Sequence, residues 1–359
     1  MSGIAGAGAW GLDVLGSVVA DARAARQQVD TLTEQTSSGY VATTYGGLSA
    51  SQSSVSLSLQ PMLAQQKTLQ TTLNGVTSRM TVAQNALSSI SDIATDFRSK
   101  TEELDGQNPS EVDSIAADAR DALRQVANLL DTQDGGIYVF AGEDTANPPV
   151  PNPDNITSSS FYSAINTAVG NLSGSGAAAV IASTLSTATS AATSPFSASI
   201  TAGTATRPMV STGAGSQVAV GIVAGQNADV ASTGSSTTGS YIRDIMRSLA
   251  TIASLSSSQV SVTGFSTLVS DTGNSLIGAV TALNQDAGVM GDRQSALQTE
   301  STALGDSQTA LTNQISNAQD VDMTSTLAAL SQAQSKLQAS YQMIASLQSL
   351  TLTKYLSTS

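Results

Sequence analysis

The chain has 359 residues, a net charge of −13, and neither cysteine nor histidine. Disulfides, Cys/His metal sites and histidine-based catalysis are therefore excluded, and the acidic balance argues against binding nucleic acid or an anionic membrane surface. Only 11% of residues are charged and 4% aromatic, so bulky core-forming side chains are few and packing against other copies is expected to add burial. These features predict a non-enzymatic protein of two or more domains, with no catalytic residues, metal or cofactor.

The N-terminal segment is predicted to be helical, because apolar side chains recur at alternating steps of three and four residues. The stripe consists of Leu15, Val18, Ala22, Ala25, Val29 and Leu32. No basic residue precedes Arg23 and Asp13 interrupts the apolar run, so we expect no cleaved signal peptide here. The run is also too short to span a membrane, and we expect no membrane insertion.

Two more helical runs follow at 59–104 and 112–129. Both keep the three-and-four alternation, with few polar side chains in the stripe. The link between them carries Gly106, Asn108 and Pro109, which favour a turn before a new helix.

The middle of the chain, 136–238, has a different composition. It opens with GGIYVFAGEDTANPPVPNPDN and continues with Ser, Thr, Ala and Gly tracts that hold short alternating apolar pieces such as SQVAVGIVAG at 216–225. Alternation with Pro and Gly punctuation is typical of short strands. We therefore expect a small β-rich inserted domain.

Helical periodicity returns near Tyr241, and the stripe from 276 to 318 is long. The phase slips by one residue at Asp320–Asp322, where an aspartate can cap a new helix. The next stripe consists of Met323, Leu327, Leu330, Gln334, Leu337, Tyr341 and Ile344, with Leu347 and Tyr355 beyond it.

The economical fold for this order is a hairpin. We predict a mainly α protein whose N- and C-terminal segments form a long antiparallel coiled-coil or helical rod, with the β-rich domain inserted. The expected parts are terminal assembly segments at 1–40 and 319–359, a helical rod domain at 41–135 and 239–318, and an outer domain at 136–238. An intramolecular helical bundle would use the same stripes, and this alternative stays open.

Three stretches resemble a known family. The first is Leu32–Gln35 followed by SSGYVATTYGGLSA (37–50), which contains Gly39. The second is GVMGDRQSALQ (288–298), which contains Gly291, Arg293 and Leu297. The third is AQDVDMTSTLAALSQAQSKLQASYQMIASLQSLTLTKYL (318–356), which contains Asp322. These resemble the flagellin superfamily, and the third is most similar to its branch of hook–filament junction proteins (hook-associated protein 3). TTYGGLSASQ stands where many members carry a Pro-Ser-Asp-Asp-Pro-type segment, which leaves the branch open.

The resemblance implies an extracellular structural protein of the bacterial flagellum, exported by the type III apparatus and serving motility. It implies terminal coiled coils that join hook to filament by packing with neighbouring copies, and as partners a neighbouring hook-associated protein, flagellin and an export chaperone. The expected self-assembly residues are Leu15, Val18, Ala22, Val29, Leu32, Leu330, Leu337, Tyr341, Ile344, Leu347 and Tyr355. The alternatives are a filament flagellin, or a secreted adhesin whose middle domain binds a ligand.

Overall fold

The protein is mainly helical, as expected. The computed structural model describes the backbone of residues 6–104, 108–213, 215 and 217–356, and the side chains of 16–104, 108–213, 215 and 217–348. Helix makes up 73% of the structure, with long helices packing together, which confirms the predicted fold class. The helices are α1 (Gly6–Ser38), α2 (Ala50–Leu104), α3 (Pro109–Leu130), α4 (Ser160–Gly170), α5 (Leu172–Ser175), α6 (Ala177–Thr189), α7 (Ala198–Thr201), α8 (Tyr241–Ala253), α9 (Phe265–Gln319) and α10 (Met323–Leu356).

Strand is confined to two antiparallel pairs in the described residues. These are β1 (Gln133–Asp134) with β2 (Ile137–Tyr138), and β3 (Met209–Ser211) with β4 (Gln217–Ala219). Short 3₁₀ turns occur at Tyr45–Gly47, Pro153–Ser158, Ala191–Thr193 and Ser257–Gln259.

The inserted segment holds less strand than the sequence suggested. Its longest elements are the helices α4 and α6, which bury Phe161, Ile165 and Val169 and then Val180, Thr184 and Ala188. Both sets step by four residues, which is a helical period, and alanine favours helix more than any other residue. Among the described strands, alternating burial is seen in β3, where Val210 is buried between exposed Met209 and Ser211, so the tracts of small residues fold mostly as helix.

The chain divides into two compact units, formed by the described parts of Met1–Lys67 with Asp306–Ser359 and of Thr68–Gly305. We call them the terminal unit and the central unit. The three-part division drawn from the sequence stays a prediction.

The central unit has a continuous apolar core. Within it α2 and α9 run antiparallel in a fixed register, shown by hydrogen bonds between the side chains of Asn74 and Ser301 and of Ser91 and Asn284. The predicted stripe of α2 from Leu73 to Leu104 is buried, including Met80, Leu87 and Ile90. Helix α8 is buried on nearly every side and packs on α3.

Glycines in α9 differ in what surrounds them, which gives a first prediction. A Cβ at Gly288 would meet nothing within 4 Å, whereas one at Gly278 would lie 2.4 Å from the carbonyl oxygen of Thr233. Gly288→Ala is expected to stabilise the protein by about 0.5–1 kcal/mol through lost backbone entropy in the unfolded chain. Gly278→Ala should destabilise it by roughly 1–3 kcal/mol, because backbone must move. Urea unfolding of both variants tests this, and equal effects would contradict it.

Candidate assembly surface

The terminal unit is built on the pairing of α1 with α10. The C-terminal end of α1 meets the N-terminal end of α10 through an antiparallel bridge between Tyr40 and Asp320, so the two helices run antiparallel. Ala22 and Ala25 of α1 are buried. On α10 the buried residues are small as well and recur every seven positions: Thr326, Ala333 and Ser340. Small side chains permit close approach of the helices but bury little apolar surface.

The residues predicted for self-assembly mostly flank this seam. Ala22 is buried, Tyr341 is 50% exposed, and Leu15 and Tyr355 lie in α1 and α10 but outside the described side chains. The half-buried members are Val18, Val29, Leu32, Leu330, Leu337, Ile344 and Leu347. The structure therefore gathers the described members into one helix pair, and their role in association stays a prediction.

One apolar line on α10 is left uncovered in the single chain. Met323, Leu327 and Tyr341 are 41%, 49% and 50% exposed. Leu327 follows Met323 by about one turn of helix and Tyr341 follows it by about five, so the three side chains share a face. We call Met323, Leu327 and Tyr341 the exposed line; Gln334, also exposed, lies on the same face. Uncovered apolar side chains in such a row are typical of a surface that packs against another protein.

This part of α10 is almost without charge. Between 323 and 348 the only charged residue is Lys336, which helical geometry places on the side away from the exposed line. Interface cores are depleted of charged residues, because desolvating an unpaired charge is costly. The exposed line therefore has the composition of an interface core.

A hydrogen-bonded joint aligns α1 with α10 and unites two of the motif residues. Gly39 ends α1 in the left-handed region, with φ +77°, and its N–H donates to the carbonyl of Gln35 at 2.9 Å. Its own carbonyl accepts the N–H of Val321 at 3.0 Å. The next residue, Asp322, caps α10, and its Oδ1 accepts the N–H of Thr324 at 2.9 Å. The turn and the helix break seen in the sequence thus meet at one place.

The other motif residues lie in the central unit. Leu297 is buried, and a Cβ at Gly291 would lie 3.6 Å from Nε2 of Gln84. Arg293 forms an ion pair with Asp229 at 2.7 Å, and Arg207 approaches the same carboxylate at 3.4 Å. Burial raises the pKa of Asp229, but the two guanidinium groups outweigh it and hold that pKa below its usual value.

Sequence reasoning missed the buried carboxylate of Asp286, which holds the backbone at Asp229. Asp286 has no exposed surface, and its two oxygens accept the backbone N–H groups of residues 228, 229 and 230 at 2.6, 2.8 and 3.2 Å. The Tyr241 hydroxyl donates a fourth hydrogen bond at 2.8 Å, and burial beside Asp286 raises the pKa of Tyr241. The one available signal was an aspartate next to the apolar stripe of α9, which alone does not reveal its partners.

A second missed carboxylate, Asp131, ends α3 and makes stability depend on pH. Its Oδ1 accepts the N–H of Val150 at 2.8 Å, and burial raises the pKa of Asp131 to about 6. The folded-state pKa lies above the unfolded one, so ionisation destabilises the native state, increasingly as pH rises from about 4 through 6.

Asp131→Asn keeps the oxygen that accepts from Val150 and removes the charge. The variant should be more stable than the original chain by about 1–2 kcal/mol at pH 8 and no more stable at pH 4. Urea unfolding at both values measures this. Asp131→Ala, which removes the acceptor as well, is the control, and a loss of stability in the Asn variant at pH 8 would refute the argument.

Comparison with known proteins adds one family. Among the described residues, no helix is both long enough and apolar enough to cross a bilayer. No curated protein matches the chain. Residues 275–356 match the bacterial flagellin C-terminal helical region, a stretch that contains the exposed line and the motif residues of α9 and α10. This match covers less than a quarter of the chain, and it shows that α10 and most of α9 are similar to a helical region of bacterial flagellins.

Proposed function

We propose that this protein is the flagellar subunit that joins hook to filament, and that it works by packing its terminal helices against neighbouring copies. The flagellin match supports a structural subunit of the flagellum. The observation that carries the proposal is the exposed line of α10, which the seam with α1 leaves uncovered. Covering this line requires a partner, and a second copy supplies an equally apolar and uncharged helix.

The junction role rests on the third sequence stretch, 318–356, because its amino-acid sequence is most similar to that of the junction branch. Filament flagellin is the second candidate, because the matched helical region is equally compatible with it. As a junction subunit the chain would contact a neighbouring hook-associated protein on one side and flagellin on the other. Before export through the type III apparatus, the chain would bind an export chaperone.

The two roles differ in how far the assembly grows. Purified protein is incubated alone, with isolated hook ends and with filament seeds, and then followed by sedimentation and negative-stain microscopy. A junction subunit is expected to add to ends without elongating. Indefinite filaments would favour flagellin, and protein that stays monomeric under all three conditions would overturn both candidates.

A further inference from the structure

The thioether groups are this chain's only oxidisable sulfur, because it has eight methionines and no cysteine. The structure sorts the described ones into two clear classes. Met80, Met246 and Met290 are at most 2% exposed, whereas Met62, Met209, Met323 and Met343 are 41% to 53% exposed. Since methionine oxidation depends on access of the oxidant to sulfur, the second class is expected to react far faster.

Among the exposed methionines, Met323 is the one on the exposed line; Met343 also lies on α10, but helical geometry turns it about 160° away from Met323. Met323 is the first residue of α10, directly after the capping Asp322, and it belongs to the exposed line with Leu327 and Tyr341. Met209, by contrast, is exposed on β3 in the central unit. A change of polarity at Met323 therefore falls on the surface that we propose to be buried between copies.

We infer that Met323 is an oxidation site at which a peroxide controls association of this chain. The sulfur attacks one oxygen of hydrogen peroxide, an S–O bond forms and the O–O bond breaks. The first oxygen remains on sulfur as the sulfoxide, and the second leaves with both protons as water. The sulfur is oxidised by two electrons and the peroxide is reduced by two, so no further reactant is needed. This inference rests on the proposed function.

The sulfoxide turns an apolar side chain into a strong hydrogen-bond acceptor. In a water-excluded contact beside Leu327, that oxygen would find no hydrogen-bond donor on this apolar neighbour, and its desolvation opposes association. The Tyr341 hydroxyl lies about five turns further along α10, roughly 27 Å away, and cannot reach it. Association in turn covers Met323 and blocks the oxidant. Oxidation would therefore act on the single chain before assembly and spare the assembled one.

The test uses the full chain and hydrogen peroxide. Oxidation at each methionine is followed by peptide mass spectrometry, and association is followed by sedimentation with and without seeds. In the single chain, Met323 and Met209 should be oxidised at least tenfold faster than Met80 and Met290. After assembly, Met323 should be protected and Met209 should not.

Substitutions at Met323 and Met209 test whether the loss of association after peroxide treatment comes from Met323. Met323→Leu keeps an apolar side chain that peroxide cannot oxidise, and it should retain association after a treatment that weakens the original chain at least tenfold. Met323→Gln should weaken association without peroxide, whereas Met209→Gln should not. Failure of the untreated chain to associate would overturn the proposed function and the inference with it. Association that persists with Met323 fully oxidised would overturn the inference alone.

Discussion

Replacing Tyr341 with aspartate should abolish association with other copies and with hook or filament ends while leaving the single chain folded. Tyr341 is half exposed in the single chain, so a carboxylate there stays solvated and costs little. In an assembled contact the same carboxylate would be desolvated without a partner, at a cost of several kcal/mol, which corresponds to at least a hundredfold weaker association. Sedimentation measures association and far-ultraviolet circular dichroism measures retained helix.

The adjacent position supplies the matched control. Gln342 is exposed as well, but helical geometry turns it about 100° away from Tyr341. Gln342→Asp adds the same charge and should change association much less. Ile344→Asp, at a half-buried position between seam and exposed line, should also abolish association. If Tyr341→Asp associates as the original chain does, the exposed line is not a contact between copies.

The largest loss of stability is expected for Asp286→Ala. Removing the carboxylate leaves three backbone N–H groups and the Tyr241 hydroxyl without their acceptor, and two of these four donors, the Ala228 N–H and the Tyr241 hydroxyl, are buried. Each orphaned buried donor is costly, and we expect a loss of about 3–5 kcal/mol in the free energy of unfolding. Residues 228–230 should also lose their fixed position, and with them the ion pair between Asp229 and Arg293.

Two control variants show whether the loss of stability comes from the hydrogen bonds of Asp286 or from any substitution in this part of α9. Tyr241→Phe removes one of the four donors and should cost about 1–2 kcal/mol. Gln285→Ala changes the exposed neighbour of Asp286 and should stay within about 0.5 kcal/mol. Urea unfolding measures the free energy of unfolding of all three variants, which should be lowest for Asp286→Ala and highest for Gln285→Ala. An Asp286→Ala chain as stable as the Gln285→Ala chain would contradict the argument.

In the inserted segment, 136–238, the sequence pattern did not distinguish helix from strand. Tracts such as AAAVIASTLSTAT contain small residues that suit either helix or strand, and few bulky side chains mark a period. Packing decides such cases: α6 buries Val180, Thr184 and Ala188 against its neighbours, which selects a helical spacing. The strands that do form are only two or three residues long.

The sequence by itself determined the helical ends, the antiparallel return and the break before α10. These depend on local periodicity and capping, which a chain carries in any context. Only the tertiary structure decided which face of α10 meets α1. The bulky stripe was expected at the seam, yet Thr326, Ala333 and Ser340 fill it, while Met323, Leu327 and Tyr341 stay outside. A helical period locates an apolar face, but the partner's shape decides how that face is rotated. Ala22 and Ala25 are the buried residues in the described part of α1 and are also small, and a seam of small side chains lets two helices approach closely.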